Sequence, residues 1–383
     1  MKKILILNGQ YWPGYKGGGP IQSCFNMVQN LSNEFEFLIV TADRDYKSEL
    51  PYENIKVNKW NQVGAAKVYY MSPDTQNLRG FKKILNDTNF DVMYLNGFFS
   101  PIFTIKPLIL KKFGQIHNCK YIITPRGDFT GGLENKKLKK YSYIFFCKLI
   151  GLYKGLIWHA TSELEAQDIK QKFKDSHTFI APNLPAKYIS KPPVLEKKPG
   201  ELRLVFVSRI FPKKNLIFAL NVLKEITEGK IIFDIYGPME DKSYWNECKS
   251  VIKQIPSNIM VTYKGEIPHD EIGKTFERYH AFFFPTLGEN YGHVIVEAMM
   301  NNCLVILSEG VTPWDDYKEK GGFLADLKEP DAFIKIINDC VNTNSVDYFD
   351  LLRKNNNYIQ NKINPDLHID LYVKKLIELT FMN

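Results

Sequence analysis

Residues 282–297 have the sequence Phe282-Phe283-Phe284-Pro285-Thr286-Leu287-Gly288-Glu289-Asn290-Tyr291-Gly292-His293-Val294-Ile295-Val296-Glu297. This pattern predicts an apolar strand, a glycine-bearing loop and the start of a helix. Glu289 lies in the loop, and Glu297 follows it one to two turns into the helix. A helix N-terminus favours phosphate, because its first N–H groups are unpaired and its dipole is positive there. Gly292 allows a ligand to approach the backbone closely. The two carboxylates can bind diols on either side of a diphosphate, so the stretch fits a nucleotide-sugar. Two ordinary helix-and-loop acids are an equally good interpretation of these residues alone.

The composition is that of a soluble globular protein with more than one domain. The chain has 383 residues, of which 44% are hydrophobic and 24% are charged. No apolar run reaches the roughly 18 residues that cross a bilayer. The apolar core at the start of the chain is too short for a signal peptide and predicts a first buried strand. The six cysteines form no CxxC pair and share no metal-ligand spacing with the seven histidines. We therefore expect free thiols, a cytoplasmic location, and neither a metal nor a cofactor.

Positive charge is concentrated in the first half of the chain. Residues 1–190 carry 26 Lys and Arg against 15 Asp and Glu, a net charge of +11, whereas the remainder carries −3. Such a surface suits an anionic partner, for which a membrane, a lipid-linked phosphate and nucleic acid are the possibilities. A lysine-rich surface that binds only solvent is an equal alternative.

Short apolar segments alternate with helical patterns along the whole chain. This alternation predicts parallel sheets covered by helices on both faces. Residues 191–200 contain three prolines and several charges, which predicts an exposed linker. We therefore expect an α/β protein with two doubly wound, Rossmann-like domains facing a cleft. They cover 1–190 and 200–362, and a C-terminal helix, 366–383, packs back on the first. Ligands of such sheets bind at the carboxyl ends of the strands.

Two loops at strand ends have the chemistry of phosphate sites. The first strand is followed by a glycine-rich loop that includes Gly18 and Gly19, and Pro20 suits the first turn of the next helix. In the second half, Arg209 ends a strand and Lys214 begins a helix five residues later. A fork-shaped cation and a point charge at one place suit a diphosphate. Either loop alone is weak evidence, because glycine turns and exposed cations are common.

Two features of the first half point towards an acceptor. Arg126 follows the strand that ends at Thr124, where it suits an acceptor phosphate or a donor oxygen. A structural salt bridge with Asp128 is an equal alternative. Lys136, Lys137, Lys139 and Lys140 precede the aromatic segment Tyr141–Phe146. Basic residues beside aromatics are typical of helices at membrane interfaces, although most such helices pack on a sheet.

Taken in order, these motifs resemble the retaining glycosyltransferases of family 4, which have the GT-B fold. The resemblance covers nearly the whole chain and is most specific in the second half. Its elements are Ser208-Arg209, Lys214-Asn215, Tyr236-Gly237-Pro238, Pro285-Thr286 with Glu289 and Glu297, Ser308-Glu309-Gly310, Thr312-Pro313-Trp314 and, in the first half, Gly17–Gly19, Pro125-Arg126-Gly127, His159–Glu163 and Ala181-Pro182-Asn183.

The resemblance implies a role for each matched residue. Arg209 and Lys214 would hold the donor diphosphate and stabilise its growing charge. Glu289 would contact the transferred sugar, with backbone N–H groups of Asn290, Tyr291 and Gly292 nearby, and Glu297 would bind the ribose. Gly18 and Gly19 would border the diphosphate. Members of this family need no metal, because cations replace it.

One departure leaves the acceptor side open. Many relatives carry histidines where this chain has Tyr94-Leu95-Asn96-Gly97-Phe98, so no histidine role is transferred. We predict hexosyl transfer from a nucleotide diphosphate-sugar to a glycan or lipid-linked acceptor, in bacterial surface polysaccharide (O-antigen or capsule) synthesis. Peripheral contact with the inner membrane is expected, and no nucleic acid partner. The alternatives are a nucleotide-sugar 2-epimerase or hydrolase of the same fold, and a non-catalytic binding protein.

Overall fold

The computed structural model describes residues 1–129, 137–186, 193–268 and 271–381. The chain divides into two compact units. The first consists of Met1–Lys187 together with Pro365–Asn383, and the second of Tyr188–Asn364. The last helix of the chain therefore belongs to the first unit.

The first unit is built on an eight-stranded sheet with the order β3-β4-β2-β1-β5-β6-β7-β8. All neighbours pair in parallel except β3 and β4, which form an antiparallel hairpin at one edge. Central strands such as β1 and β5 are buried along their apolar runs, as expected where helices cover both faces. The strands are β1 Lys2–Asn8, β2 Phe35–Ala42, β3 Trp60–Val63, β4 Ala66–Met71, β5 Val92–Asn96, β6 Lys120–Thr124, β7 Ile157–Ala160 and β8 His177–Ile180.

Six helices accompany this sheet in the described residues, and their ends follow local capping rules. Helix α1 has Pro20 in its first turn, and α5 begins where the Ser162 hydroxyl accepts a hydrogen bond from the Glu165 N–H at 3.2 Å. The helices are α1 Gly19–Leu31, α2 Leu78–Asn86, α3 Lys106–Lys112, α4 Lys137–Leu149, α5 Glu163–Lys172 and α12 Pro365–Phe381.

The second unit contains a six-stranded, wholly parallel sheet with the order β11-β10-β9-β12-β13-β14. Strand β12, with the sequence Ala-Phe-Phe-Phe, is completely buried beside β9. The strands are β9 Glu201–Val207, β10 Lys230–Tyr236, β11 Ile259–Gly265, β12 Ala281–Phe284, β13 Leu304–Ser308 and β14 Phe323–Ala325, and the helices are α6 Leu216–Lys224, α7 Lys242–Ile252, α8 Ile272–Phe276, α9 His293–Met300, α10 Pro330–Asn342 and α11 Ser345–Ile363.

Two doubly wound parallel sheets confirm the predicted fold class. The sequence pattern missed strand β3, because its residues are largely half-buried or exposed and form no apolar run. The hairpin instead depends on the turn at Gly64, whose φ is +54°. All six cysteines are free thiols, as expected, and five of them are buried. No described helix combines the length and the apolar composition needed to cross a membrane.

The prediction of an exposed linker is wrong at Lys197. This side chain is 2% exposed. Its ammonium group donates hydrogen bonds to three backbone carbonyls, those of Lys198 at 2.8 Å and of Val341 and Thr343 at 3.0 Å. Lys197 thereby satisfies carbonyl groups at the C-terminal end of α10. The burial of Lys197 could not be predicted from its charge. A lysine ammonium group can be buried when hydrogen-bond acceptors surround it, and two of these acceptors are distant in the sequence.

Candidate functional site

The loops after β9 and β12 leave adjacent parallel strands at the same edge of the second sheet. Hydrogen bonds join the two loops directly. The Leu287 N–H donates to the Lys213 carbonyl at 2.9 Å, and the Asn215 amide donates to the Pro285 carbonyl at 2.9 Å. Lys214 and Glu289 are thus held on one connected piece of backbone, although 75 positions separate them in the chain.

Lys214 and Glu289 form an ion pair at this edge. The Lys214 ammonium donates a hydrogen bond to Glu289 Oε1, which also accepts one from the Thr286 hydroxyl at 3.2 Å. Both side chains are largely buried, with exposures of 13% and 14%. Because desolvation offsets much of the attraction within a buried ion pair, additional hydrogen bonds such as that from Thr286 are needed to stabilise it. The structure thus brings together the predicted diphosphate cation and the predicted sugar-binding carboxylate.

Arg209 lies two residues beyond β9 and has a carboxylate partner of its own. Its Nη1 is 3.0 Å from Oε2 of Glu240, a residue in the loop after β10. Its guanidinium also lies over the Phe211 ring, 5.0 Å from the centroid. Each predicted diphosphate cation of the second unit is therefore matched by an acid. Glu240 lies outside the motifs that predicted the site.

The loop between β12 and α9 is shaped by glycines and anchored by its neighbours. Gly292, with φ +77°, directly precedes α9, and an added Cβ there would lie 2.7 Å from Ile295 Cδ1. Nearby, the Glu289 N–H donates to the Val311 carbonyl at 3.0 Å. The indole N–H of Trp314 donates to the Tyr291 carbonyl at 2.6 Å. The segment 289–292 is thus positioned at the N-terminus of α9, where an anion is favoured.

Glu297 lies in the second turn of α9 and is partly exposed. Its negative charge interacts electrostatically with the hydroxyl of Tyr291. Burial first, and the negative charge of Glu297 second, raise the pKa of Tyr291. That hydroxyl is buried and makes no hydrogen bond within the described residues. The Tyr291 ring packs near the Trp314 ring, 5.5 Å between centroids, and the Tyr291 carbonyl accepts the Trp314 indole N–H.

In the first unit, Gly18 and Gly19 lie at the start of α1. Gly18 has φ +70°, a left-handed conformation that favours glycine. Its carbonyl accepts the Ile21 N–H at 3.0 Å. Gly19 has open space where a Cβ would be, so sterics do not require glycine there.

Arg126 follows β6 and is held by neutral groups. Its Nε donates to Asn96 Oδ1 at 2.8 Å, one Nη to Asn183 Oδ1, and the other to the Tyr94 hydroxyl at 3.2 Å. The carboxylate of Asp128 accepts the Phe98 N–H at 2.9 Å. These bonds use three of the five N–H groups that an arginine carries.

A buried histidine supports this arrangement. Nε2 of His159 donates to the Ala181 carbonyl at 2.8 Å, so Nδ1 accepts the Tyr94 hydroxyl hydrogen at 2.5 Å. Burial first, and the charge of Arg126 second, lower the pKa of His159 to about 3. The ring is therefore neutral at pH 7. The hydroxyl of Tyr372, from the last helix, lies 3.3 Å from Nε2.

Comparisons with known proteins give one family match and several similar folds. Residues 189–363 match the family model described as "Glycosyl transferases group 1". The Anabaena protein HepE, solved with UDP and glucose, is 12% identical, covers 99% of this chain and 100% of its own, and has a TM-score of 0.70. Sucrose-phosphate synthase from Thermosynechococcus elongatus is 14% identical and covers 100% of this chain and 99% of its own, also with a TM-score of 0.70.

The protein has the GT-B fold. Residues 189–363, nearly all of the second unit, are similar to the group 1 glycosyl transferases. A curated Klebsiella pneumoniae relative, described as an uncharacterized 41.2 kDa protein in a cps region, is 25% identical over 231 residues. This match covers 58% of the GT-B chain and 62% of the relative, so it spans less than two thirds of that protein.

Several residues that organise the GT-B units were outside the predicted set. Glu240, Tyr94, Asn96 and Tyr372 were not assigned a role, although His159 and Asn183 lie in segments that carried the family resemblance. Among the described residues, no group of three His, Cys, Asp or Glu side chains is placed to hold a metal ion. Metal independence nevertheless remains a prediction.

Proposed function

We propose that this protein is a retaining glycosyltransferase of family 4 that uses a nucleotide diphosphate-sugar. The carrying observation is that Arg209 and Lys214 both follow β9 in a segment similar to the group 1 glycosyl transferases, and that Lys214 is paired with Glu289 on the joined loop after β12. In the proposed complex, Arg209 and Lys214 hold the diphosphate, and Glu289 contacts the hydroxyls of the transferred sugar. Glu297 binds the ribose diol, and Asn290, Tyr291 and Gly292 provide backbone donors.

The chemistry proposed is a front-face displacement. The acceptor hydroxyl oxygen bonds to the anomeric carbon on the face from which the diphosphate departs, and the bond between that carbon and the phosphate oxygen breaks. The acceptor proton passes to the departing phosphate. Because the acceptor attacks the face that the diphosphate leaves, the anomeric configuration is retained. The two cations stabilise the negative charge that grows on the leaving group, which is the role of a metal in other transferases.

A uridine diphosphate-sugar is the first donor to test, because HepE was solved with UDP and glucose and S. aureus TarM with UDP. A panel of UDP-hexoses is incubated with and without acceptor, and UDP release and product are measured. Transfer that continues in EDTA supports the proposal, whereas a requirement for magnesium or manganese contradicts the metal-free part. An inverted anomeric centre in the NMR spectrum of the product contradicts the retaining mechanism. Epimerised or hydrolysed donor without acceptor identifies the alternative enzymes.

The acceptor proposed is a glycan or a lipid-linked saccharide of bacterial surface polysaccharide. The cps region of the K. pneumoniae relative supports capsule synthesis in particular. On the acceptor side we propose Arg126, whose three hydrogen bonds hold its guanidinium in one orientation. A phosphate-bearing acceptor gains a charge-assisted hydrogen bond from such a group. Gly18 and Gly19 are proposed to border the donor diphosphate.

Contact with an anionic membrane surface is proposed at helix α4. Phe145, Phe146 and Leu149 are 69%, 60% and 73% exposed, whereas Ile144 and Cys147 on the same helix are buried. Lys136 lies outside the described residues, as do the side chains of residues 137–141. Exposed aromatics on a helix in a positively charged region favour insertion at a lipid headgroup boundary.

Vesicle sedimentation tests this membrane contact. Replacing Phe145 and Phe146 by serine should lower binding to vesicles that contain 30% phosphatidylglycerol by about tenfold. Phe349→Ser is the matched control, since Phe349 is 51% exposed on α11 of the other unit. Equal binding by all three proteins, or no binding at low salt, contradicts the membrane contact and leaves the transferase proposal intact.

A further inference from the structure

Backbone hydrogen bonds join the loop after β10 to the residues that follow β9. The Ile210 N–H donates to the Pro238 carbonyl at 2.9 Å, and the Asp241 N–H donates to the Ile210 carbonyl at 3.2 Å. Gly237, with φ +135°, makes this approach possible, because a Cβ there would lie 1.9 Å from the Ser208 carbonyl oxygen. The loop therefore extends the sheet beyond its last strand residues.

This loop presents Glu240 to the donor cation Arg209. Nη1 of Arg209 donates one hydrogen bond to Glu240 Oε2 at 3.0 Å, and the guanidinium carbon lies 5.0 Å from the centroid of the Phe211 ring. The two charged side chains are 35% and 25% exposed, so solvent reaches both. A guanidinium carries five N–H groups in one plane. The bond to Glu240 and the Phe211 ring therefore restrict the orientation of that plane, and with it the direction of the other N–H groups.

The same loop is connected to the helix that follows Lys214. Asp241 caps α7, its Oδ1 accepting the Tyr244 N–H at 3.0 Å. The buried Tyr244 hydroxyl then accepts the Ile217 N–H, in the first turn of α6, at 3.0 Å. Through Tyr244, the segment that orients Arg209 also supports the backbone beside Lys214.

We infer that Glu240 is a positioning residue that orients Arg209 and competes with the diphosphate for it. This inference rests on the proposed function. When a diphosphate binds, Arg209 must bind an anion that lies near the carboxylate of Glu240, and two like charges repel each other. Glu240 therefore weakens the binding of the nucleotide diphosphate product while it keeps the guanidinium aligned for the transfer step. The result is faster product release and a well-placed charge in the transition state.

The test compares Glu240→Gln with wild type and with Glu247→Gln, which removes one exposed carboxylate from α7 of the same unit. Calorimetry measures the affinities for inorganic pyrophosphate, for UDP and for uridine. Glu240→Gln should bind pyrophosphate and UDP about 3- to 10-fold more tightly, with the uridine affinity unchanged. Its kcat should fall by a similar factor. Rescue of kcat in Glu240→Asp would support orientation by the carboxylate.

Each other outcome is informative. Equal affinities in the Glu240→Gln and Glu247→Gln proteins overturn the inference. Parallel losses for UDP and uridine with a lower Tm also overturn it, because they indicate that Glu240 only supports the fold. If the wild type binds UDP and pyrophosphate, the donor proposal stands whichever result Glu240 gives. If it binds neither, the donor proposal and the inference both fail.

Discussion

The two units each carry an arginine just after a strand of their parallel sheet, but they hold it with different chemistry. Arg209 of the second unit is paired with the carboxylate of Glu240, and its neighbour Lys214 with that of Glu289. Arg126 of the first unit is held by two amides and a hydroxyl. An ion pair near solvent exchanges readily with another anion. A guanidinium bound by buried neutral groups stabilises the folded state, because removal of the guanidinium leaves each of those groups without its hydrogen-bond donor.

The largest effect is expected for the second-unit cations. Arg209→Ala and Lys214→Ala should each lower kcat about 10²- to 10³-fold, since the leaving diphosphate loses a preorganised positive charge. Lys335→Ala on α10 is the control, because that side chain is 77% exposed and pairs with Asp339 on the surface. Wild-type turnover in either site variant would remove the proposed diphosphate role.

The next largest effect concerns the free energy of unfolding, which Arg126→Met and Arg209→Met should lower by different amounts. Arg126→Met should lower the free energy of unfolding by about 3 kcal/mol, because Asn96, Asn183 and Tyr94 each lose a hydrogen-bond donor. Arg209→Met should cost less than about 1 kcal/mol, since it breaks a solvent-exposed pair. Urea unfolding measures both. Similar losses in the two variants would contradict the difference between an arginine held by neutral groups and one held in an ion pair.

Acid should destabilise both units through one buried histidine each. Burial lowers the pKa of His159 in the first unit to about 3 and that of His280 in the second to about 4. A lowered histidine pKa means that the unfolded chain binds the proton more readily. Stability is therefore complete above the unfolded pKa of about 6.5 and falls as the pH drops towards the folded values.

Between pH 7 and pH 5, protonation linked to each histidine should lower the free energy of unfolding by about 2 kcal/mol. His280→Gln keeps a donor for the Glu196 carbonyl, to which Nε2 donates at 2.9 Å, but it does not titrate. This variant, and His159→Gln in the first unit, should each show a smaller pH slope in urea unfolding than wild type. An unchanged slope in either variant would show that its histidine does not titrate on unfolding.

The smallest effect separates the two glutamates of the second unit. Glu297→Ala should weaken the binding of free UDP about tenfold, because a charged acceptor of ribose hydrogen bonds is lost. Glu289→Ala should leave that affinity unchanged or improve it, since Lys214 loses its competing carboxylate, and should mainly slow transfer. Calorimetry with UDP and transfer kinetics measure the two effects. Equal affinity losses would contradict the division between ribose and sugar.

Local patterns were sufficient for part of this site. Glu289, Asn290, Tyr291, Gly292 and Glu297 were found because a strand, a glycine loop and a helix follow one another within sixteen residues. Glu240 was missed because its partner Arg209 is 31 positions away and nothing in the residues around it indicates the pairing. Arg126 was found as a cation, but its neutral partners were not.

The alternation of strands and helices and the two parallel sheets could be predicted from the residues alone. Those properties follow from hydrophobic periodicity and from glycine and proline positions, which act over a few residues. Which partner each charged group binds could be seen only in the folded structure. Lys214 and Glu289 are 75 positions apart, and Tyr372 and His159 are 213 apart. A hydrogen bond forms only when its two atoms come within about 3 Å, and that distance is set by how the strands and loops pack.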